Sequence, residues 1–476
     1  MVARRFVTNK TFLTSCVLIA LTAGGAVVAR ADEGFQYNGY WRAGFNTASP
    51  FTGREFVDGT GGNSFYNFFE RLTLEAPDTQ TSPRLKTSRA ARDPNYLKFQ
   101  MSKTFPSEVK FTFGMDTREG TSHESTSVVK SPSENETSAI TFNNNFRMRD
   151  LFIELPTSTD MRLWAGSRQI EFEDLRLFEA GNPFDTKALG AGVETDKSLF
   201  SVGYSKSKRE AVIEGVSNED RIANKIPPVL VETKDASILY RTEVPLEANY
   251  TIIPMFKLII RGAAPADSTT GGKRQSIRGS QELLVGSVMA RNDPDTGNFG
   301  NTTMGVNLRP PNYSEEALRG DVRGFDTIYF IQDSSIFNFL GWSLMTGASV
   351  EQTLFKNDQS IYKVQQDGAI VSTGEKTRSQ RAIALGVQPV LYVSKAFHLA
   401  LDLNYSFRDK KTAKSQSNTL LVTPIMRYAL NENALGSPQL YTSFTYGRYD
   451  LDFKKQLDGS FKNTLGTVQS GIELWF

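Results

Sequence analysis

The chain has 476 residues, 54 Lys+Arg against 52 Asp+Glu, 39% hydrophobic residues and a mean hydropathy of -0.34. That hydropathy is too low for a bundle of membrane helices, and a net charge of +2 supplies no global basic field to hold nucleic acid. One Cys and two His, His123 and His398, exclude the thiolate and imidazole clusters of a zinc finger, an iron-sulfur centre or a haem site, so metal chemistry would rest on carboxylates alone. What the chain has in excess is aromatics and glycine, with 33 Phe, 16 Tyr and 37 Gly.

Arg4, Arg5 and Lys10 precede an apolar and small-residue stretch from Phe12 to Val28, and Ala29-Arg30-Ala31 fits a small-x-small cleavage pattern. The pattern predicts a cleaved secretory signal over residues 1–31. An uncleaved anchor would need about 20 apolar residues, slightly more than are present. Removing the signal leaves 445 residues, residues 32–476, with 50 cations against 52 anions and without Cys16, the single cysteine. An exported chain of this kind uses no disulfide.

Beyond the signal no segment approaches 18 consecutive apolar residues, whereas alternation with a period of two recurs throughout. From Phe35 to Asn46 one face carries Phe35, Tyr37, Gly39, Trp41, Ala43 and Phe45, and the other Gln36, Asn38, Tyr40, Arg42 and Asn46. Val109 to Asp116 and Val468 to Phe476 repeat the pattern. Strands are predicted over 35–46, 95–103, 109–117, 146–155, 161–170, 189–195, 198–205, 235–242, 256–263, 281–290, 302–309, 325–332, 341–350, 380–391, 396–407, 418–428, 438–449 and 464–476. The centre, 256–332, is the least regular, because Pro254, Pro265, Pro310 and Pro311 interrupt it.

A soluble sandwich or solenoid would also alternate. Three features favour a transmembrane barrel instead. The apolar faces begin or end in Phe, Tyr or Trp, as the girdles of a lipid-facing barrel do. Short connections (104–108, 156–160, 196–197, 394–395) alternate with long polar ones (47–94, 118–145, 206–234, 353–379). The last strand ends on an outward Phe476. The expectation is one all-β domain over 32–476, a transmembrane antiparallel β-barrel of 18 strands, wide enough for an aqueous lumen. The runs 266–280 and 292–301 read as surface loops, and 68–74 as a hairpin inside the first long loop.

Enzyme chemistry finds little support. His398 lies between apolar neighbours near a short turn and reads as structural or interfacial, while His123 lies in a Ser/Thr/Glu-rich loop; neither has a nucleophile motif such as G-x-S-x-G beside it. The expectation is a non-enzyme without a cofactor.

The most specific signal is Trp164-Ala165-Gly166-Ser167-Arg168, followed by the charged stretch 171–185 and then Gly190-Ala191-Gly192-Val193-Glu194. With Asn38-Gly39-Tyr40-Trp41-Arg42-Ala43-Gly44, Gly386-Val387-Gln388-Pro389 and the final Ile472-Glu473-Leu474-Trp475-Phe476, it resembles the maltoporin (LamB-like carbohydrate porin) family from the first strand to the last, with a poorly matched centre. The resemblance implies an eighteen-stranded homotrimer in the outer membrane of a Gram-negative bacterium. It implies a third loop that narrows the lumen, and facilitated diffusion of maltose and maltodextrin-like oligosaccharides along a row of aromatics. On that resemblance Tyr40, Tyr96 and Trp475 match the aromatic track, Arg42 the first-strand arginine, and Asp174 and Glu179 acids of the constricting loop. Sugar C–H faces stack on aromatic rings while charged groups take the hydroxyls. Lys98 stands where the family tends to have an acid, and Leu435 near where another track aromatic falls. A general porin without a sugar site, and a barrel serving as adhesin or surface receptor, remain as alternatives. No residue is expected to perform bond chemistry, and the expected partners are oligosaccharide solutes, outer-membrane lipid and further copies of the chain, not nucleic acid.

Overall fold

The computed structural model describes residues 35–48, 96–117, 146–158, 160–170, 184, 186–210, 212–213, 230–247, 249–263, 269–270, 273–276, 279–310, 325–364, 370–410, 416–430, 438–451 and 464–475. Within them the strands are β1 Phe35–Ala48, β2 Tyr96–Thr104, β3 Lys110–Thr117, β4 Phe146–Ser158, β5 Met161–Ile170, β6 Thr186–Thr195, β7 Ser198–Glu210, β8 Leu230–Thr242 and β9 Tyr250–Arg261. They continue as β10 Ser280–Asp293, β11 Asn298–Arg309, β12 Asp326–Phe339, β13 Trp342–Val364, β14 Ile370–Tyr392, β15 Phe397–Lys410, β16 Gln416–Ala429, β17 Gln439–Leu451 and β18 Thr464–Trp475. Each pairs antiparallel with its chain neighbours, and β18 pairs with β1, closing an 18-stranded barrel that leaves no free edge. Val244–Glu247 prolongs β8 along β9. Val212–Ile213, Thr269–Thr270 and Lys273–Ser276 form a small separate sheet on the long-loop side. Among the described residues there is no helix.

The alternation turns a soluble protein inside out. On β15, Leu403 is 38% exposed on the outer face while Asn404 beside it is 2% exposed on the inner one. Leu399, Leu401 and Tyr405 follow Leu403, and Asp402 and Ser406 follow Asn404. Exposed aromatics bound the outer apolar surface: Phe200, Tyr250, Phe339, Trp342 and Phe397 near the short turns, and Tyr204, Tyr329, Tyr405 and Tyr446 toward the long loops. Phe397 and Tyr405 lie eight residues apart on β15, roughly 20 Å of height for ~3.4 Å per residue at a tilt near ~40°. That matches the apolar band of a membrane barrel.

Every predicted strand is present, including those of the irregular centre. Pro254 sits inside β9, opposite Ser287, and the Pro310-Pro311 pair follows the end of β11. Three readings need correction. Of the predicted loop 206–234, both ends belong to the sheet, with Lys206 paired to Lys234 and Glu210 to Leu230. The predicted loop 353–379 is mostly a hairpin, β13 and β14 remaining paired out to Val364 and Ile370 across two register shifts. The run 292–301 is mostly sheet, its two ends paired in β10 and β11 around a tight turn at 294–297, in which the Asp293 carboxylate accepts the Thr296 hydroxyl at 2.7 Å and the Asp295 amide at 3.1 Å, with Gly297 at φ 66°. The 68–74 hairpin, the signal and Phe476 lie outside the described residues.

Candidate functional site

The lumen is the candidate site, and its geometry begins at the seam. Tyr40 on β1 stands opposite Trp475 on β18 and Lys98 on β2; Arg42 stands opposite Glu473 and Tyr96. Directly opposed residues share a face, with Cβ atoms about 5 Å apart. By backbone register these six positions therefore fall on two adjacent rungs, Tyr40 with Trp475 and Lys98 on one and Arg42 with Tyr96 and Glu473 on the next. The Tyr40 hydroxyl donates to one oxygen of Glu473, and the Gln439 amide donates to the other. Glu473, 6% exposed, is the residue at this seam that sequence reasoning missed. Its position in the final alternating run, two before Trp475, was the available signal. Asp174 and Glu179, with Phe172 and Phe178, lie outside the described residues.

Phe184 reports on the third long connection. It is fully buried against Met255, Leu284, Val288 and Phe330, with its ring edge-on to that of Phe330 at 6.1 Å. Its carbonyl accepts the Thr186 hydroxyl at 3.0 Å, where the chain rejoins the wall as β6. The four contacts are inward residues of β9, β10 and β12, three to six strands further round the barrel. The end of this connection therefore turns into the lumen and docks on another part of the wall.

The Trp164 to Glu194 block acquires a physical meaning. Trp164 lies flat over Gly192, where an added Cβ would come within 2.5 Å of its indole nitrogen. Gly166, at φ 133°, leaves room for the carbonyl of Leu151. Trp164 meets Phe152 edge to face at 6.3 Å, and the Arg168 guanidinium sits 4.9 Å from the Phe152 ring centre and 5.3 Å from that of Trp164. Arg168 then pairs with Glu194 at 2.7 Å. The glycines thus let an aromatic pair and an ion pair pack against the wall.

Further inward charges are matched in pairs: Arg149 with Asp116 at 3.1 Å, both buried, Lys110 with Glu154 at 3.5 Å, and Arg261 with Glu282. Near the short-turn end His398 is fully buried; its Nδ1 accepts from Arg427 at 3.2 Å, its Nε2 faces the Lys395 carbonyl at 3.2 Å, and its ring meets Tyr392. These contacts give it the structural place its sequence context suggests. Among the described residues no group of three or more His, Cys, Asp or Glu is placed to hold a metal ion.

No protein-family model matches the chain, and no curated protein matches it by sequence. Among solved structures it is similar to OccAB1 of Acinetobacter baumannii (TM-score 0.43, 8% identity, 93% of this chain and 96% of that one). It is also similar to a BenF-like porin from Pseudomonas fluorescens (TM-score 0.43, 7% identity, 93% and 99%). A third is a loop-deletion mutant of OmpT, an outer membrane protein of Vibrio cholerae (TM-score 0.39, 9% identity, 94% and 100%). At such scores the likenesses carry no weight of their own, and the barrel rests on its own strand pairing and inverted polarity.

Proposed function

We propose that this chain is an outer-membrane porin that passes carbohydrates of the maltodextrin type by facilitated diffusion. Exported by the cleaved signal, it works as a homotrimer and performs no bond chemistry. The observation that carries the reading is the register at the seam, which groups Tyr40 and Trp475 on one rung and Arg42 and Tyr96 on the next. In this reading the aromatic positions receive the apolar faces of sugar rings, and Arg42, with Asp174 and Glu179 from the third connection, takes hydroxyls. Such binding is weak, because a site that holds its solute tightly does not conduct.

A general porin without a sugar site is the second reading. The matched inward charges of both signs favour it, since they select strongly for neither anions nor cations. Planar-bilayer recordings with maltohexaose separate the two. Interruptions of the current by the sugar, weakened in Tyr40→Ala and in Trp475→Ala, support the track. A current indifferent to every oligosaccharide sinks it and leaves the general porin. Crosslinking of the native protein in membranes tests the trimer.

A further inference from the structure

We infer that the inner wall made by β1–β4 carries a second solute subsite, a recess for a neutral polyhydroxylated solute of one or two sugar rings. This inference rests on the carbohydrate reading but uses none of the track residues. The recess has a volume of about 280 Å³, close to the lower end for small-molecule sites. Its wall is formed by Gln36, Asn38, Gln100, Ser102 and Thr112, with Phe152 behind them.

Three properties fix the ligand class. First, beside the charged Lys110, Asp150, Glu154 and Arg168, the lining is rich in neutral donors and acceptors. The Asn38 amide donates to Gln100 at 3.1 Å and the Ser102 hydroxyl to Gln36 at 3.5 Å, which leaves the carbonyl of Asn38 and the amide hydrogens of Gln36 and Gln100 directed to other partners. A hydroxyl both donates and accepts, so a polyol can use such a wall completely, whereas a simple anion or cation uses half of it.

Second, most of the charge in the lining is paired. Lys110 pairs with Glu154 and Arg168 with Glu194, while Asp150 accepts the Gln169 backbone amide at 2.8 Å. An anionic solute meets the Asp150 carboxylate and gains little there, whereas a hydroxyl can donate to it.

Third, Thr112 is 2% exposed and its hydroxyl oxygen has no hydrogen-bond partner in the protein. A buried hydroxyl without a partner is costly, so one from outside the chain is expected at this point of the lining.

The recess also has a useful position. Asn38 and Gln36 follow Tyr40 along the inner face of β1 toward the short turns, so a solute leaving the Tyr40 rung meets the recess next. Successive weak sites are what conduction requires.

The test combines bilayer recording and crystallography on the whole protein. In Thr112→Val and Gln100→Leu, block by maltose is expected to weaken about tenfold, the effect of losing one hydrogen bond to a bound hydroxyl. Thr112→Ser retains the block. Crystals grown with maltose are expected to hold a sugar in the recess in the wild type and in Tyr40→Ala, but not in Gln100→Leu. If block in the two recess variants equals that of the wild type while Tyr40→Ala abolishes it, the recess is overturned and the track stands. If the recess holds water only, in crystals whose track is occupied by sugar, the result is the same. If maltose occupies the recess yet no oligosaccharide blocks the current, the selective-channel reading falls and the recess stands.

Discussion

Two stretches of the inner wall follow opposite rules. On β1–β4 the inward positions are mostly amides, hydroxyls and paired charges, such as Asn38 with Gln100 and Lys110 with Glu154, with Tyr40 and Phe152 among them. On β9, β10 and β12 they include Met255, Leu284, Val288 and Phe330, which would face water at a cost. Phe184 accounts for the difference, because an apolar inward patch needs a cover and the third connection supplies one. The polar wall carries the groups that the proposed solute exchange would use; the apolar wall holds a piece of the protein's own chain. Phe184 is thus held in place by burial, which salt does not screen, while the ion pairs on the other wall are the part that ionic strength can reach.

The largest way to break that contrast is Phe184→Asp, which puts a carboxylate into the apolar socket. Loss of the ring alone costs about 3–5 kcal/mol, enough to unseat the loop end, so single-channel conductance rises and the open-channel current becomes noisier. An unchanged conductance would show that Phe184 does not hold the constriction. On the polar wall, Arg149→Met removes the guanidinium beside the buried Asp116 carboxylate. Breaking a buried pair from one side costs about 3–5 kcal/mol, visible as a lower temperature of conversion from folded to unfolded mobility on a detergent gel; Arg149→Met with Asp116→Leu recovers part of it. Tyr40→Phe keeps the ring and removes the donor to Glu473, a loss of about 1.5–3 kcal/mol for a charge-assisted bond. Maltohexaose block in that variant weakens less than in Tyr40→Ala, which tells ring stacking from hydrogen bonding. Lys110→Met is the smallest change: its pair with Glu154 is one-third exposed on the lysine side and contributes below about 1 kcal/mol. It lowers stability slightly, leaving the buried Glu154 carboxylate without its cation, and moves the reversal potential in a salt gradient slightly toward cation preference.

The same contrast explains which parts of the molecule were legible in its sequence. Where the inner wall is polar, as on β1 and β15, hydropathy alternates and the strand declares itself. In β9 and β10 both faces are apolar, as in Leu283-Leu284-Val285, so the alternation blurs in the chain's centre although the pairing there is regular. The blur was itself the trace of the Phe184 socket, readable only once the far contact is known, since nothing local links residue 184 to residues 255, 284 and 330. The extensions of β7 and β8, and of β13 and β14, were hidden for the opposite reason. There the polar run Lys206-Ser207-Lys208 keeps the backbone pairing to Lys234, Thr233 and Glu232 without a hydropathy signal. At the seam the alternation on β1 and β18 could be read from the sequence, but the pairing of Tyr40 with Trp475 could not, because it joins opposite ends of the chain.

That partnership has a consequence for assembly. Tyr40 lies on the first strand of the sheet and Glu473 and Trp475 on the last, so their rung does not exist in any partly formed sheet, however many strands it has zipped. The proposed track is completed by the same event that removes the two open edges. An unfinished barrel therefore offers neither the paired rung nor a closed pore, so solute binding on the proposed track would report completed closure.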